Sequence, residues 1–588
     1  MRRLLLLLLW SAVALADTRY EIDLGQAASR TLLITAETEC LKADCDFQLP
    51  VWNATYQIRD FAQYVMGFEA KRASGEKLPV RLVSPSRWRV EAAPGERLQV
   101  RYWYFADSPG PFGCSASRWH VFLNFAQLLV YPVGRLREPM SVAFRTRPAA
   151  WKIALELPEQ DGAFRARSYD ELVDAPAELS AFAEASFQAA GRRIRVVVDA
   201  QPDDYDMSRL ESTARKVVQA ATEIMQDVPF PSYTFIYHFR EGGGGGMEHA
   251  NSTAIDAGTP CRDCDVQGVT AHEFFHLWNV KRIRPQSLEP IDYTGENITP
   301  SLWFSEGVTS TYGTYIQLQA GLESRDAFLH RLGEEITRHD EIPAHLTQSA
   351  EESSISAWLE RYPAYGRPAR SISYYLKGEL AGYLLDLVIR HDSGNRASLD
   401  DVMHRLNAEY AQKGRYFEDT AAIERLASQA AGHDLKEVFD RLVRRAEPVD
   451  WGHFLSYAGY RLTPSSEMRP TLGIEMSRAP GRGPVIADVT PNGPGEKAGL
   501  RAGDRLVSIN GRPLKRPLTD ELQALRLKPG SKITLAVESR GETKTFRATP
   551  KFERRTVYRI EEVRGTDAAA KAVREGWLRA GRIQQNTN

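Results

Sequence analysis

Short runs of alternating or continuously apolar residues dominate the first quarter of the chain. Arg81-Leu82-Val83, Leu98-Gln99-Val100-Arg101-Tyr102-Trp103-Tyr104 and Val121-Phe122-Leu123-Asn124-Phe125 are broken up by Gly, Pro, Asp and Ser. A period of two between turn residues predicts strands, so residues 17–165 read as an antiparallel β domain. The texture shifts around Ala166–Phe187. A strand at Arg193–Asp199, a helical period through Leu210–Met225 and a strand at Tyr233–Phe239 follow. Spacing near 3.6 then recurs at Val269–Val280, Ser305–Leu318, Ser371–Ile389, Leu399–Tyr410 and Thr420–Ser428, which makes 166–460 mainly helical with a small sheet. Residues 461–552 return to short strands with Gly/Pro turns and one helix near Leu518–Leu525. The last stretch, 553–588, reads as a charged tail with a helix near Ala568–Leu578. The fold class is therefore multidomain α+β.

One apolar run has a different meaning. Leu4 to Ala16 follows Arg2 and Arg3 and closes on Ala14-Leu15-Ala16. It is too short to span a bilayer and has the basic start and small-residue end of a cleavable secretory signal. Residues 1–16 are expected to be removed, leaving a mature chain from Asp17 with no stable membrane span. The protein is then exported, into the periplasm if its source is a Gram-negative bacterium. Export permits disulfides, and the five cysteines offer two close pairs, Cys40 with Cys45 and Cys261 with Cys264, leaving Cys114 over. Composition adds only exclusions. With 43% hydrophobic and 10% aromatic residues the chain of 588 is not disordered. Lys+Arg 75 against Asp+Glu 76 gives no electrostatic case for nucleic acid.

The chemistry lies in His272-Glu273-Phe274-Phe275-His276. Residues at i and i+4 share one helical face, so both imidazoles reach a single metal while Glu273 points beside it. Val269, Phe274, Phe275, Leu277 and Trp278 make that helix apolar, so a buried His pair needs a partner. A catalytic zinc takes three protein ligands and keeps one position open. Glu306, in the apolar setting Leu302-Trp303-Phe304-Ser305-Glu306-Gly307, supplies the third, because a lone carboxylate there is costly to bury without a metal or ion partner. His272, His276 and Glu306 are thus the expected ligands of one Zn2+ per chain, and Glu273 the general base. Gly242–Gly246 lacks the Gly-Lys-Ser/Thr of a phosphate loop, which leaves it as a flexible hairpin tip.

The run from His272 through Asn279-Val280-Lys281-Arg282-Ile283-Arg284-Pro285 resembles the signature of the PDZ-containing glycyl aminopeptidases, zinc peptidases related in catalytic fold to thermolysin and aminopeptidase N. Leu302–Tyr312, Gly244-Gly245-Gly246-Met247-Glu248-His249, Ser373-Tyr374-Tyr375-Leu376-Lys377-Gly378 and the C-terminal segment extend the resemblance over nearly the whole mature chain in the family's order. It implies a thermolysin-like catalytic domain at 166–460 and a PDZ domain at 461–552. It also implies that Gly246, Met247 and Glu248 form a cleft strand, with Glu248 meeting a substrate's free α-amine. His249 either assists there or packs. Tyr375 would donate to the oxyanion, with Tyr374 as the alternative. Leu472-Gly473-Ile474 would be the PDZ carboxylate loop, open to a peptide C-terminus or closed in a purely structural domain. Peptides with a free N-terminus, carrying Gly or Ala first, are the expected substrates. A zinc endopeptidase with PDZ-guided substrates and a catalytically inactive PDZ binding protein are the rival readings.

Overall fold

The computed structural model describes residues 18–53, 59–259, 261, 266–359, 370–479, 483–514, 516–539 and 541–579. The expected signal segment and Cys264, hence the Cys261–Cys264 pairing, lie outside them. The chain forms two compact units.

The first unit opens on an eight-stranded sheet built on alternation: Thr18–Asp23, Thr31–Glu39 and Arg97–Phe105 bury every second residue. Two four-stranded sheets join it over a common core that includes Tyr20, Ile34, Val100 and Tyr102. Three buried phenols satisfy three consecutive carbonyls. Tyr102, Tyr169 and Tyr20 donate to Leu128, Leu129 and Val130 at 2.7, 2.6 and 2.9 Å. Cys40 and Cys45 are disulfide-bonded, and Cys114 is a buried thiol pushed up to about 12 by burial.

Two expectations change here. The sheet is not wholly antiparallel, because Thr18–Asp23 pairs parallel with Met140–Arg145. Its other edge is already filled by its hairpin partner Thr31–Glu39, and only a strand returning after a long crossover meets the free edge in the same direction. The domain also runs past residue 165. Tyr169, Leu172 and Leu179 sit in its core, and Ala177–Ser180 pairs with His120–Leu123.

A five-stranded sheet follows in the order Ala183–Ala189, Arg192–Asp199, Ser232–Arg240, Ser252–Gly258, Gly246–Glu248. The middle pairings are parallel; Gly246–Glu248 lies antiparallel at the edge. Helices Met207–Met225, Gln267–Phe275, Thr309–Gln319 and Tyr374–Asp392 accompany it.

The last described residue, Arg579, is anchored in this unit. Arg579, 6% exposed, grips Asp400 through two hydrogen bonds of 2.5 and 2.8 Å and lies 4.5 Å from the Tyr315 ring. Burial alone would raise the Asp400 carboxyl, but Arg579 outweighs it and holds it down to about 2. Because the folded value is depressed, this stabilisation is present above the ordinary carboxylate value of about 3.9 and is lost as pH falls toward 2. Arg579→Ala strands a buried carboxylate and should cost roughly 3–5 kcal/mol in thermal or denaturant unfolding. Removing both partners in Arg579→Met/Asp400→Leu should recover much of that loss.

The second unit comprises Ser324–Ile342 and Asp450–Arg574. Strands Tyr460–Thr471 and Lys551–Glu562 pair over their full length, and a small sheet is inserted between them in sequence. Residues 553–562, expected as tail, are therefore strand; the helix at Ala568–Trp577 is present. Helix Arg325–Glu341, absent from the periodic segments read above, packs here: a Cβ on Gly333 would stand 2.6 Å from the Tyr558 carbonyl. Among the described residues no helix is long and apolar enough to cross a membrane.

Candidate metal centre

His272 and His276 lie on the last turn and at the C-terminal cap of helix Gln267–Phe275, which ends sooner than the apolar period suggests. Past the cap the chain turns, and Arg282 donates to the carbonyls of Leu277, Ala250 and Pro229. Lys281 pairs with Asp174 at 2.5 Å and Arg284 with Glu289 at 2.5 Å. This basic cluster is thus structural.

Glu306 comes from a buried π-helical turn, Trp303–Val308, leading into helix Thr309–Gln319. Its Oε2 lies 3.4 Å from His272 Nε2 and 3.2 Å from His276 Nε2, and the two imidazole nitrogens are 3.0 Å apart. These separations match the roughly 3.3 Å edges of a tetrahedron with metal bonds of about 2.0–2.1 Å.

The surrounding hydrogen bonds orient both rings. His276 Nδ1 meets the Asn279 carbonyl at 2.7 Å. Ser310 Oγ donates to the Glu306 carbonyl at 3.1 Å and so accepts from His272 Nδ1 at 3.2 Å. With Nδ1 donating in each ring, both Nε2 atoms face each other and a carboxylate, a cluster that a bridging proton or a metal cation holds together. Asn279 also donates to the Phe304 carbonyl at 2.9 Å, tying the end of the His helix to the Glu306 turn. Sequence reasoning gave Asn279 and Ser310 no role. Asn279 stands three positions after His276 and Ser310 four after Glu306, spacings at which a neighbouring turn can be bridged.

The other expected residues converge on the same place. Glu248, Glu273 and His276 bring ligating atoms within 4.8 Å of one another. Glu273 is 5% exposed and Glu248 6%; Glu273 Oε2 and Glu248 Oε1 have no hydrogen-bond partner. Burial pushes both carboxyls up; His276 opposes this, and Glu306 adds to it. Burial likewise disfavours charge on His276, but Glu306, Glu248 and Glu273 together raise it to about 10. The cluster strongly attracts positive charge. His249 is buried 3.4 Å from Asp174 and belongs to the Asp174–Lys281 network.

Gly246 is needed for a close approach. A Cβ there would meet Glu273 Cγ, Cδ and Oε1 at 2.5 Å. Gly246→Ala should displace the Glu273 carboxylate and leave the zinc ligands in place. The expected result is a fall in kcat of about 10²-fold with metal content unchanged, checked by kinetics and metal analysis on one preparation.

Tyr375 sits half-buried in the first turn of helix Tyr374–Asp392, its ring 6.1 Å from that of His272; Tyr374 is fully buried behind it. Glycines permit this helix to reach the Glu306 turn: a Cβ on Gly307 would fall 2.5 Å from Gly378 Cα, and one on Gly378 would fall 2.1 Å from the Trp303 carbonyl.

In the second unit Leu472 is a core residue, 1% exposed, and the Gly473 amide donates to Thr471 Oγ1 at 3.0 Å. Ile474 starts an edge strand. Between this segment and helix Leu518–Ala524 lies a cleft of about 230 Å³ whose rim mixes Arg469, Arg554 and Arg555 with Glu341 and Glu553, Arg555 being paired with Glu341 at 2.5 Å.

A His-Glu-His centre with a buried third carboxylate, on a fold of this kind, defines a zinc metallopeptidase. The matches to known families agree. Residues 265–381 match M61 glycyl aminopeptidase, 19–181 the Peptidase M61 N-terminal domain and 485–539 a PDZ domain. Both the N-terminal and the catalytic segment thus resemble the M61 glycyl aminopeptidase family. It is similar to the crystal structure of an aminopeptidase N family protein from Idiomarina loihiensis, with 25% identity and a TM-score of 0.79 over 95% of this chain and 100% of that one. Shorter likenesses include the regulator of sigma-E protease RseP of Escherichia coli, 38% identical over 80 residues (14% of this chain and 17% of that protein). Another is the serine endoprotease DegS of Salmonella typhimurium, 28% identical over 118 residues (19% and 30%). The chain spans less than a third of the length of these two curated relatives.

Proposed function

We propose that the protein is an exported zinc aminopeptidase that removes N-terminal residues, preferably Gly or Ala, from peptides. The observation that carries this reading is the buried Glu248 carboxylate, whose Oε1 has no partner within reach of His276 and Glu273. Lys281, whose charge also acts on Glu248, is paired with Asp174. Charge accounting leads to the same place. With His272 and His276 binding a metal as neutral imidazoles, the charges left are those of three carboxylates. A divalent ion leaves one negative charge over, and a substrate α-ammonium cancels it.

In this account His272, His276 and Glu306 would hold the zinc, which when bound would supply Lewis acidity toward the scissile carbonyl and the attacking water. Glu273 is placed to accept the proton of the attacking water at its unpartnered oxygen and to return it to the leaving amine. Edge strand Gly246–Glu248 lays an extended substrate along its backbone, and Glu248 receives the ammonium, which fixes cleavage to the first peptide bond. Tyr375 donates to the developing oxyanion. The preference for Gly or Ala is supported by the family's name, export by the leading apolar run and by the Cys40–Cys45 disulfide. The cleft beside Leu472, Gly473 and Ile474 would take a peptide C-terminus, with Arg469 and Arg554 as the cations on its rim that have no ion pair at Glu341.

Glu248→Gln tests the assignment. Loss of one charge-assisted bond should lower kcat/KM for free-amine peptides roughly 10- to 100-fold, with zinc retained. Undiminished activity on those peptides would remove Glu248 as the amine anchor.

A further inference from the structure

A second group of side chains repeats the donor chemistry of the metal centre without sharing a residue with it. His120 stands on strand His120–Leu123 and Glu178 on Ala177–Ser180, neighbours in a four-stranded sheet of the N-terminal domain. Asp199 ends strand Arg192–Asp199 and is the direct register partner of His238 on Ser232–Arg240, in the sheet that also carries Gly246–Glu248 two strands away. Four strands from two sheets thus bring two imidazoles and two carboxylates together.

The spacing is that of ligands. Glu178 Oε2 lies 3.0 Å from His238 Nε2 and 3.6 Å from His120 Nδ1, and Asp199 Oδ2 lies 3.5 Å from His120 Nδ1. Tetrahedral zinc with bonds of about 2.0–2.2 Å asks for ligand separations of roughly 3.3–3.6 Å. Glu178 is wholly buried, and both its Oε1 and His120 Nδ1 lack a hydrogen-bond partner. Such orphaned polar atoms are costly at 0% exposure and point to a missing ligand. Two neutral imidazoles and two carboxylates cancel the charge of a divalent ion. His120 and Asp199 are about a quarter exposed and leave an entry path, while Phe122, packed edge-on 4.9 Å from the His238 ring, closes the inner side.

We infer that His120, Glu178, Asp199 and His238 form a second zinc site, with four protein ligands, that staples the N-terminal β domain to the catalytic sheet. With all four positions taken by protein, its role is structural. The chain would then carry a catalytic and a structural zinc rather than the single ion expected from the His272–His276 motif.

Zinc per chain, measured by elemental analysis on full-length protein dialysed against zinc and then freed of loose metal, tests this. Wild type should hold about two ions and His272→Ala/His276→Ala about one. In that variant a chelator should lower the denaturation temperature, and added zinc should restore it. His120→Ala/His238→Ala should hold one ion and still cleave peptides. If this variant does not fold, the His272→Ala/His276→Ala measurement decides alone. A His272→Ala/His276→Ala protein that binds no zinc would overturn the site and leave a His–carboxylate ion-pair cluster. One ion in wild type, retained in His272→Ala/His276→Ala, would uphold this site and refute the catalytic one.

Discussion

Glu273→Gln should lose about 10²- to 10⁴-fold in kcat and keep its zinc. The amide matches the carboxylate in shape, so the contact of Glu273 with Gly246 and the three ligands are undisturbed. What disappears is the ability to accept a proton at an oxygen that, in the folded chain, has no other partner. KM should change little, because in the proposed function Glu248 and the edge strand still hold the substrate. Activity close to wild type would mean that another group takes the proton. An equal loss accompanied by departure of zinc would show that Glu273 acts by holding the metal.

Tyr375→Phe should lower kcat by about 10²- to 10³-fold, the usual cost of one oxyanion donor, with little change in KM or stability. The hydroxyl is on a half-buried side chain in a helix's first turn, capped by Ser373 Oγ, which accepts from the Tyr375 amide at 3.2 Å. The glycine crossing of Gly307 and Gly378 holds that turn against the segment bearing Glu306. Tyr374→Phe is the control: its ring is fully buried and stacked on Tyr375, with centroids 4.9 Å apart, and it should stay near wild type in kcat. A loss confined to Tyr374→Phe would transfer the donor role to Tyr374.

The two histidines, Glu273 and Glu306 were legible because each is a local statement. Spacing of i and i+4 sets a helical face, and a carboxylate among Trp303, Phe304 and Val308 demands a partner wherever the chain goes. Glu248 and Tyr375 have no such local signal; only resemblance to a family singled them out, and the fold then brings Glu248 beside Glu273 and Tyr375 beside His272. The parallel pairing of Thr18–Asp23 and the extension of the first core to Ser180 depend on strands 122 and 54–60 positions apart, which no period reveals. Helix Arg325–Glu341 does repeat Phe328, Leu332 and Ile336 every fourth residue, but its charges dilute the apolar signal that marked the others. His120, Glu178, Asp199 and His238 come from four strands, so their convergence exists only in the folded chain.

The most direct test of the central claim pairs two peptides that differ only in N-acetylation, each incubated with the purified protein with and without a zinc chelator. The account predicts cleavage of the free-amine peptide alone, releasing its first residue and abolished by the chelator. Equal cleavage of both peptides would contradict it, keeping the zinc chemistry but making the enzyme an endopeptidase.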